Sequence, residues 1–169
     1  DHFIECFDAD EIREFLSDNP FPGKPLLILG KGSNILFVED FSGVVLSPAI
    51  QEITVDEENR DSVTVTAGAG VNWDEFVEWA VAHHYGGIEN LSLIPGTVGA
   101  APIQNIGAYG AELSEVIHQV HFIDIQSGQK QTISDHECRF GYRTSIFKTI
   151  LRNRVIITHV TFRLSKDPL

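Results

Sequence analysis

The segment from Leu91 to Gly110 constrains this chain most, because it shows neither the helical period nor the strand alternation of its flanks. It combines four glycines with other small residues and with polar side chains such as Thr97 and Gln104. A segment of this length without regular structure is uncommon inside a compact domain unless it has a function. Small residues also let the backbone approach a flat ligand. The sequence therefore predicts a ligand-binding loop, with an ordered loop that binds nothing as the alternative.

The elements on either side of this loop predict an α+β fold with two lobes, residues 1–48 and 49–169. Asp8 followed by Glu11 resembles a capping box at the start of a helix. Later in the chain, Val63, Val65 and Ala67 alternate with threonines, as in a half-buried strand. The other predicted elements are a helix after Asn72 and strands at His2–Cys6, Pro25–Leu29, Ile35–Val38, Val44–Leu46, Val116–Ile125, Gln129–Ile133 and Val155–Leu164.

Composition argues against two classes of partner. The 169 residues carry 24 acidic and 12 basic side chains, giving a formal net charge of −12 and a pI near 4.8. A protein that binds nucleic acid by neutralising its phosphates needs a basic surface. No apolar run approaches the roughly 18 residues of a membrane span, and no signal peptide is expected, since no charged-then-apolar segment stands at the start of the sequence given. Cys6 and Cys138 are predicted to be free buried thiols in a reducing cytoplasm.

A second glycine-rich segment, Gly30-Lys31-Gly32-Ser33-Asn34, lies between two predicted strands. Successive N–H groups in such a turn can bind an anion, and glycine lets a diphosphate approach the backbone. The dinucleotide-binding fingerprint is absent because Ile35 stands where its third glycine belongs, and the ending of a P-loop is missing too. The segment predicts a phosphate contact, with a purely structural turn as the alternative.

Positive charge is concentrated in residues 138–148, which contain two arginines and a lysine close to Tyr142. An arginine such as Arg143 can bind a carboxylate through two parallel hydrogen bonds and stabilise developing negative charge. The alternative is a surface ion pair. Ser145 and Lys148 also match a Ser-x-x-Lys spacing, but the companion motifs of that acyltransferase class are absent. The seven histidines show no metal-ligand spacing, so no metal site is predicted.

Taken together, these segments resemble the UDP-N-acetylenolpyruvoylglucosamine reductase family, bacterial flavoenzymes of peptidoglycan precursor synthesis. The resemblance rests on Gly30–Asn34, on the Ile94–Gly110 loop with its Gln-Asn-Ile-Gly-Ala-Tyr-Gly ending, and on Arg139–Phe147. Their order and spacing agree over essentially the whole chain. The resemblance implies a two-lobed FAD-binding domain of the vanillyl-alcohol-oxidase-like (PCMH-type) flavoprotein fold, with FAD between the lobes.

The same resemblance implies which residues contact the cofactor. The 30–34 turn would meet the FAD diphosphate from the first lobe, and residues 95–101 and 106–110 would supply backbone contacts from the second. Replacing Gly99 or Gly107 with valine is expected to block the cofactor while leaving much of the fold intact. The implied cofactor-binding residues are Gly30, Lys31, Gly32, Ser33, Asn34, Pro95, Gly96, Thr97, Val98, Gly99, Ala100, Ala101, Ile106, Gly107, Tyr109 and Gly110.

A reaction is also implied: reduction of UDP-N-acetylglucosamine enolpyruvate to UDP-N-acetylmuramate in the bacterial cytoplasm, with NADPH as hydride donor. Arg143 matches the family's catalytic arginine, and Tyr142 and Gln104 lie at positions expected near the substrate. The family's proton-donating serine and its assisting glutamate belong to a C-terminal substrate-binding domain, for which this sequence has no counterpart. The chain, which contains no methionine, is therefore expected to be part of a longer enzyme and to bind FAD without turnover.

Two other interpretations stay open at this point. The chain could belong to another flavin oxidase or dehydrogenase of the same fold, in which Arg143 would have a different partner. It could also be a nucleotide-binding module that lacks the cofactor, and a colourless protein that fails to bind added FAD would favour this interpretation. The oligomeric state is not predicted.

Overall fold

A computed structural model describes residues 2–167 and shows two larger β-sheets, a two-stranded hairpin and two α-helices. The first sheet is parallel and has the strand order β1-β3-β2. Its helix begins after Asp8, whose carboxylate accepts the N–H groups of Asp10 and Glu11, both at 2.8 Å. The elements of this part of the chain are β1 (His2–Cys6), α1 (Ala9–Asp18), β2 (Leu26–Ile28) and β3 (Val44–Pro48).

The strand predicted at Ile35–Val38 does not form. Leu36 and Val38 are instead 84% and 87% exposed. Both edges of β3 are already paired, one with β1 and the other with β2, and among the described residues the segment pairs with neither outer edge of this sheet. An apolar run of β-branched and aromatic residues predicts a strand only where a partner with free hydrogen-bonding groups is within reach.

The second sheet is antiparallel, with the strand order β4-β5-β10-β8-β9. The alternation predicted for β5 is confirmed, because Val63, Val65 and Ala67 are fully buried. They pack in the same core as α2, which begins after Asn72 as predicted. In chain order the elements are β4 (Ile53–Glu58), β5 (Ser62–Gly68), α2 (Trp73–Ala82), the short β6 (Gly107–Ala108) and β7 (Ala111–Glu112), β8 (Ile117–Asp124), β9 (Lys130–Ser134) and β10 (Val155–Ser165).

The main core lies between α2 and the second sheet. Trp73, Phe76 and Phe162 form an aromatic cluster whose ring centroids are 4.8 to 6.1 Å apart. The indole N–H of Trp73 also donates to the carbonyl of Leu91 at 2.7 Å. This buried hydrogen bond fixes the start of the glycine-rich loop to the main core.

A smaller core cluster connects the two sheets. It combines Cys6, Ile12 and Leu46 with the later Ile50, Ile123 and Ile156. The strands of the first sheet end at residue 48 and those of the second begin at residue 53. A division into lobes at residues 48 and 49 stays a prediction, because this cluster packs residues from both sides of that point together.

Both cysteines are free and buried, as predicted. Burial, with nearby carboxylates as a smaller cause, raises the pKa of the Cys6 thiol to about 11 and that of Cys138 to about 12. Their thiolate populations at neutral pH are therefore very small. We expect negligible reaction with a thiol reagent at pH 8 in the folded chain and two reactive thiols in denaturant. A fast-reacting thiol in the folded chain would contradict this placement.

The same pKa shifts predict how stability changes at high pH. Unfolded thiols would release protons near pH 9, whereas the folded thiols hold theirs to higher pH. The unfolded state then binds fewer protons, so the thiols make the free energy of unfolding fall as the pH rises above about 9. Urea titrations of the chain and of a Cys6→Ala/Cys138→Ala variant check this. Between pH 7 and pH 10, the free energy of unfolding should fall less in the variant than in the original chain.

Candidate functional site

A cleft opens between the two sheets, at the point where the two glycine-rich segments meet. Its walls are mostly apolar and combine residues from both halves of the chain. Thr97 and Asn153 are the polar side chains among those that line it. The lining residues are Leu27, Ile28, Gly30, Pro48, Ala69, Thr97, Gly99, Ala100, Ile103, Phe147, Asn153, Val155 and Ile157.

The first glycine-rich segment follows β2 directly and begins at the cleft. Leu29 still donates its N–H to Leu46 at 2.9 Å, and the chain then turns away through Gly32, which has φ +69°. Within residues 2–167, no hydrogen bond uses the N–H groups of residues 30–34 as donors. This turn therefore presents successive N–H donors that the fold itself leaves available for an anion.

The second glycine-rich segment is held by backbone pairing along the end of β5. Val98 donates to Val71 at 2.9 Å, and Gly99 donates to Ala69 at 3.0 Å. The side chain of Val98 is buried in the main core, as are those of Ala101 and Ile106. Apolar side chains thus anchor the segment in the core, while Gly99 and Ala100 line the cleft.

The two segments approach each other closely. A methyl group placed on Gly30 would lie 2.9 Å from Thr97 Oγ1, and one on Gly96 would lie 3.9 Å from Ser33 Oγ. Gly96 also has φ +139°, a conformation that side-chain-bearing residues rarely adopt. The 30–34 turn and the glycine-rich loop, two separate segments in the sequence, are therefore in contact in the structure. Small residues are needed at this junction.

The expectation that valine at position 99 would leave much of the fold intact is wrong. A methyl group on Gly99 would lie 2.5 Å from Ala69 Cβ and 3.0 Å from its Cα. At Gly107 a methyl group would lie 3.0 Å from the carbonyl oxygen of Ala111, across the short β6–β7 hairpin. Gly99 is thus required first for packing against the end of β5, because that backbone cannot move aside.

Five predicted residues line a second recess instead of the cleft. Gly107, Tyr109 and Gly110 come from the β6–β7 hairpin, and Tyr142 and Arg143 come from a turn opposite. The recess has a volume of about 350 Å³. Tyr109 and Gly110 both have positive φ, 54° and 87°, as in the tight turns that favour glycine and asparagine. The structure thus separates the predicted site into a cleft and a recess that contains the arginine.

Arg143 lies in a four-residue turn that Gly141 and Thr144 close with two mutual backbone hydrogen bonds of 3.1 Å. Arg143 has φ 54° in the third position of this turn, where type II turns prefer glycine. Tyr142 beside it is 86% exposed. In the part of the chain that the structure describes, the Arg143 guanidinium forms no ion pair. The surface ion pair considered from the sequence is therefore not seen.

The remaining predicted residues lie nearby. Gln104 ends a short 3₁₀ helix (Ala101–Gln104), is half-buried and lines neither the cleft nor the recess. Pro95 is exposed just before the paired stretch. Sequence reasoning missed Phe147 and Asn153 as cleft residues, since they come from segments distant in the chain. It also gave no role to the buried Asn105, whose left-handed conformation is one that asparagine adopts more readily than most residues.

Residues 2–167 contain neither a metal-binding cluster nor a membrane-spanning helix. No group of three or more His, Cys, Asp or Glu side chains is placed to hold a metal ion. No helix combines the length and the apolar character needed to cross a bilayer.

Known proteins match the chain in sequence and in fold. UDP-N-acetylenolpyruvoylglucosamine reductase from Photobacterium profundum is 46% identical over 164 residues, 97% of this chain and 47% of the relative. The enzyme of the same name from Alcanivorax borkumensis is 48% identical over 159 residues, 94% of this chain and 46% of the relative. The chain thus spans about half the length of these relatives.

Solved structures of other proteins superpose on this chain. UDP-N-acetylenolpyruvylglucosamine reductase from Thermus caldophilus superposes with a TM-score of 0.75 at 26% identity, covering 98% of this chain and 55% of that one. 6-Hydroxy-D-nicotine oxidase from Arthrobacter nicotinovorans gives a TM-score of 0.72 at 19% identity, covering 96% of this chain and 36% of that one. The second match shows the fold alone. The predicted vanillyl-alcohol-oxidase-like, PCMH-type α+β fold is confirmed.

A family model described as an FAD binding domain matches residues 1–134, most of the chain. The matched range contains the 30–34 turn and the whole glycine-rich loop, which form the junction at the cleft. It ends before the turn that carries Arg143. The chain belongs to the FAD binding domain family.

Proposed function

We propose that this chain binds FAD in the cleft, as the cofactor-binding part of a reductase that converts UDP-N-acetylglucosamine enolpyruvate to UDP-N-acetylmuramate with NADPH. The observation that carries the proposal is the junction of the two glycine-rich segments, where Gly30 faces Thr97 and Gly96 faces Ser33. The names of the relatives and the family match support the same assignment.

The residues at the cleft fit FAD chemically. The N–H groups of residues 30–34 can bind a diphosphate without basic side chains, so the net charge of −12 is no obstacle. Apolar walls such as Ile28, Phe147 and Ile157 suit a flat ring system. Bound FAD would supply the means of passing a hydride from NADPH to the substrate. The sixteen cofactor contacts given above from sequence stay proposals at the level of single residues.

We assign the substrate to the recess that contains Arg143. Hydride addition to the enolpyruvyl double bond moves negative charge onto the substrate carboxylate. A guanidinium placed there binds the charged transition state more tightly than the ground state, which lowers the barrier. Arg143 is free to do so because no carboxylate among residues 2–167 pairs with it. Tyr142, which also lines the recess, and Gln104, which lines neither the recess nor the cleft, stay proposed substrate contacts.

Ser145 is unsuited to donate the proton that completes the reaction. Ser145 as a whole is only 1% exposed, and its hydroxyl donates to the carbonyl of Ile103 at 2.8 Å. We therefore expect the 169-residue chain to bind FAD without turnover, with the proton donor supplied by another part of the enzyme. NADPH and nucleotide sugars are cytoplasmic metabolites, so we place the reaction in the cytoplasm.

Replacing Gly30 with alanine tests the placement of FAD. The added methyl group would meet Thr97 Oγ1 at 2.9 Å and narrow the cleft at the junction. We expect FAD affinity to fall about tenfold or more, a loss of about 1.4 kcal/mol in binding free energy. The melting temperature of the FAD-free chain should change little, because the contact is to a side chain. Fluorescence titration with FAD measures the affinity.

Gly128→Ala is the matched control for this test. Gly128 has φ +67° in the β8–β9 turn and no atoms within 4 Å of an added methyl group, so the variant carries backbone strain away from the cleft. Its FAD affinity should equal that of the original chain even where its stability falls. Equal affinities in the original chain and in Gly30→Ala would contradict the proposed location. An original chain that binds no FAD would refute the proposed function itself.

A further inference from the structure

We propose that Asn105 and Ser145 are positioning residues that clamp the Arg143 turn onto the glycine-rich loop. The inference rests on the proposed function, since it gives the arginine a reason to be held in place. The two residues lie on either side of the contact: Asn105 is in the loop, and Ser145 follows the turn. Both are 99% buried, with 1% exposure each.

Asn105 connects three separate parts of the chain through one amide group. Its Nδ2 donates to Glu112 Oε2 at 3.0 Å and to the carbonyl oxygen of Gly141 at 3.2 Å. Its Oδ1 accepts the N–H of Ser114 at 2.9 Å. The backbone of Asn105 has φ 46°. The side chain therefore joins the loop, the β6–β7 hairpin and the first residue of the Arg143 turn.

Ser145 makes the second connection, immediately after the turn. Its hydroxyl donates to the carbonyl of Ile103 at 2.8 Å and accepts the N–H of Phe147 at 3.2 Å. Ile103 and Phe147 both line the cleft. One side chain thus links the exit from the turn to two residues of the proposed flavin site.

The other contacts of the turn do not join it to the glycine-rich loop: Gly141 and Thr144 close the turn on itself, and Lys148 Nζ donates to the Arg143 carbonyl at 3.0 Å. Tyr142 is 86% exposed, and Arg143 is exposed and without an ion pair in the described chain. Arg143 also holds a left-handed backbone conformation that is unfavourable for a non-glycine residue. The connections at Gly141 and Ser145 fix both ends of the turn relative to the cleft. A long, flexible arginine can act in a transition state only if its backbone is held in this way.

The first test measures the rates of flavin reduction and reoxidation in the full natural protein that contains this chain. In Asn105→Gly and Ser145→Ala, we expect the reduction of bound FAD by NADPH to keep its rate. The reoxidation of that FAD by UDP-N-acetylglucosamine enolpyruvate should slow about tenfold or more. Glycine is chosen at position 105 because it removes the amide yet tolerates the positive φ. The control Asn19→Gly removes another left-handed asparagine, at the end of α1, and should leave both rates unchanged.

A double-mutant cycle separates positioning from general structural damage. If Asn105 acts through Arg143, adding Asn105→Gly to Arg143→Ala should slow reoxidation no further. Equal slowing in both backgrounds would mean that Asn105 has a merely structural role. Ser145→Thr, which restores a hydroxyl, should recover part of the rate lost in Ser145→Ala. Reoxidation at the original rate in both Asn105→Gly and Ser145→Ala would also overturn the proposal.

Hydrogen exchange in the 169-residue chain tests the clamp independently of the reaction. The amides of Gly141 and Thr144 close the turn, and they should exchange at least tenfold faster in Asn105→Gly than in the original chain or in Asn19→Gly. Unchanged exchange would refute the clamp even if the enzyme is active. Faster exchange in a protein that fails to reduce the enolpyruvyl substrate would refute the proposed function while leaving the clamp supported.

Discussion

Replacing Arg143 with lysine should slow reduction of the enolpyruvyl substrate by about a hundredfold or more, while FAD affinity stays within about twofold. Lysine keeps the charge but loses the planar group that binds a carboxylate through two parallel hydrogen bonds. Arg143 is not among the proposed cofactor contacts and does not line the cleft, so the change should leave FAD binding largely intact. Stopped-flow measurement of flavin reoxidation, alongside FAD titration, checks both parts.

Arg143→Gly separates the role of the guanidinium from the backbone conformation of the turn. Glycine relieves the positive φ of 54° that the turn imposes on this residue. We therefore expect a melting temperature equal to or higher than that of the original protein, together with a loss of turnover at least as large as in Arg143→Lys. A protein that trades stability for a functional residue should respond in this way. Full activity in Arg143→Gly would exclude a catalytic role for the guanidinium.

Replacing Gly99 with alanine should destabilise the fold by about 1–3 kcal/mol or more and weaken FAD binding as a consequence. The added methyl group would approach Ala69 Cβ, Cα and O to 2.5, 3.0 and 3.1 Å. Two of these Ala69 atoms belong to the backbone, and the Ala69 carbonyl accepts the N–H of Gly99 itself. The clash can therefore be relieved only by separating the loop from the end of β5. Urea denaturation of the FAD-free chain measures the loss directly.

Gly30→Ala provides the contrast for Gly99→Ala. Both changes add one methyl group at the cleft, but the nearest atom to Gly30 is a threonine side-chain oxygen. The first variant should lose affinity with little loss of stability, and the second should lose stability as well. If Gly99→Ala unfolds at the same urea concentration as the original chain, the close packing of the loop on β5 is wrong.

Several elements could be predicted from local sequence because local physics determines them. The alternation of Val63, Val65 and Ala67 reports a strand with one buried face, and Asn72 caps α2 with its own side chain, accepting the N–H of Asp74 at 2.9 Å. Ile35–Val38 shows the limit of this reasoning. Its composition predicts a strand, but strand formation depends on pairing with a partner strand, and residues 35–38 pair with none in the described chain.

The candidate site divides in the same way. The 30–34 turn and the 91–110 loop are visible in the sequence, because glycine where a ligand needs close approach is a local requirement. The roles of Asn105 and Ser145 were not visible, because each depends on hydrogen bonds to residues 36 to 42 positions away in the chain. Asparagine and serine are common polar residues, and nothing in their local pattern indicates such partners.

By itself, the sequence determined the α+β class, the two glycine-rich segments and the arginine-bearing segment, since periodicity, glycine content and charge are properties of short stretches. The tertiary structure alone decided that Gly30 meets Thr97 and that Gly99 serves packing against Ala69. It also decided that Arg143 lies in a recess apart from the cleft. These outcomes depend on distances between segments far apart in the chain. Such distances are set by the joint packing of both sheets, which no single segment encodes.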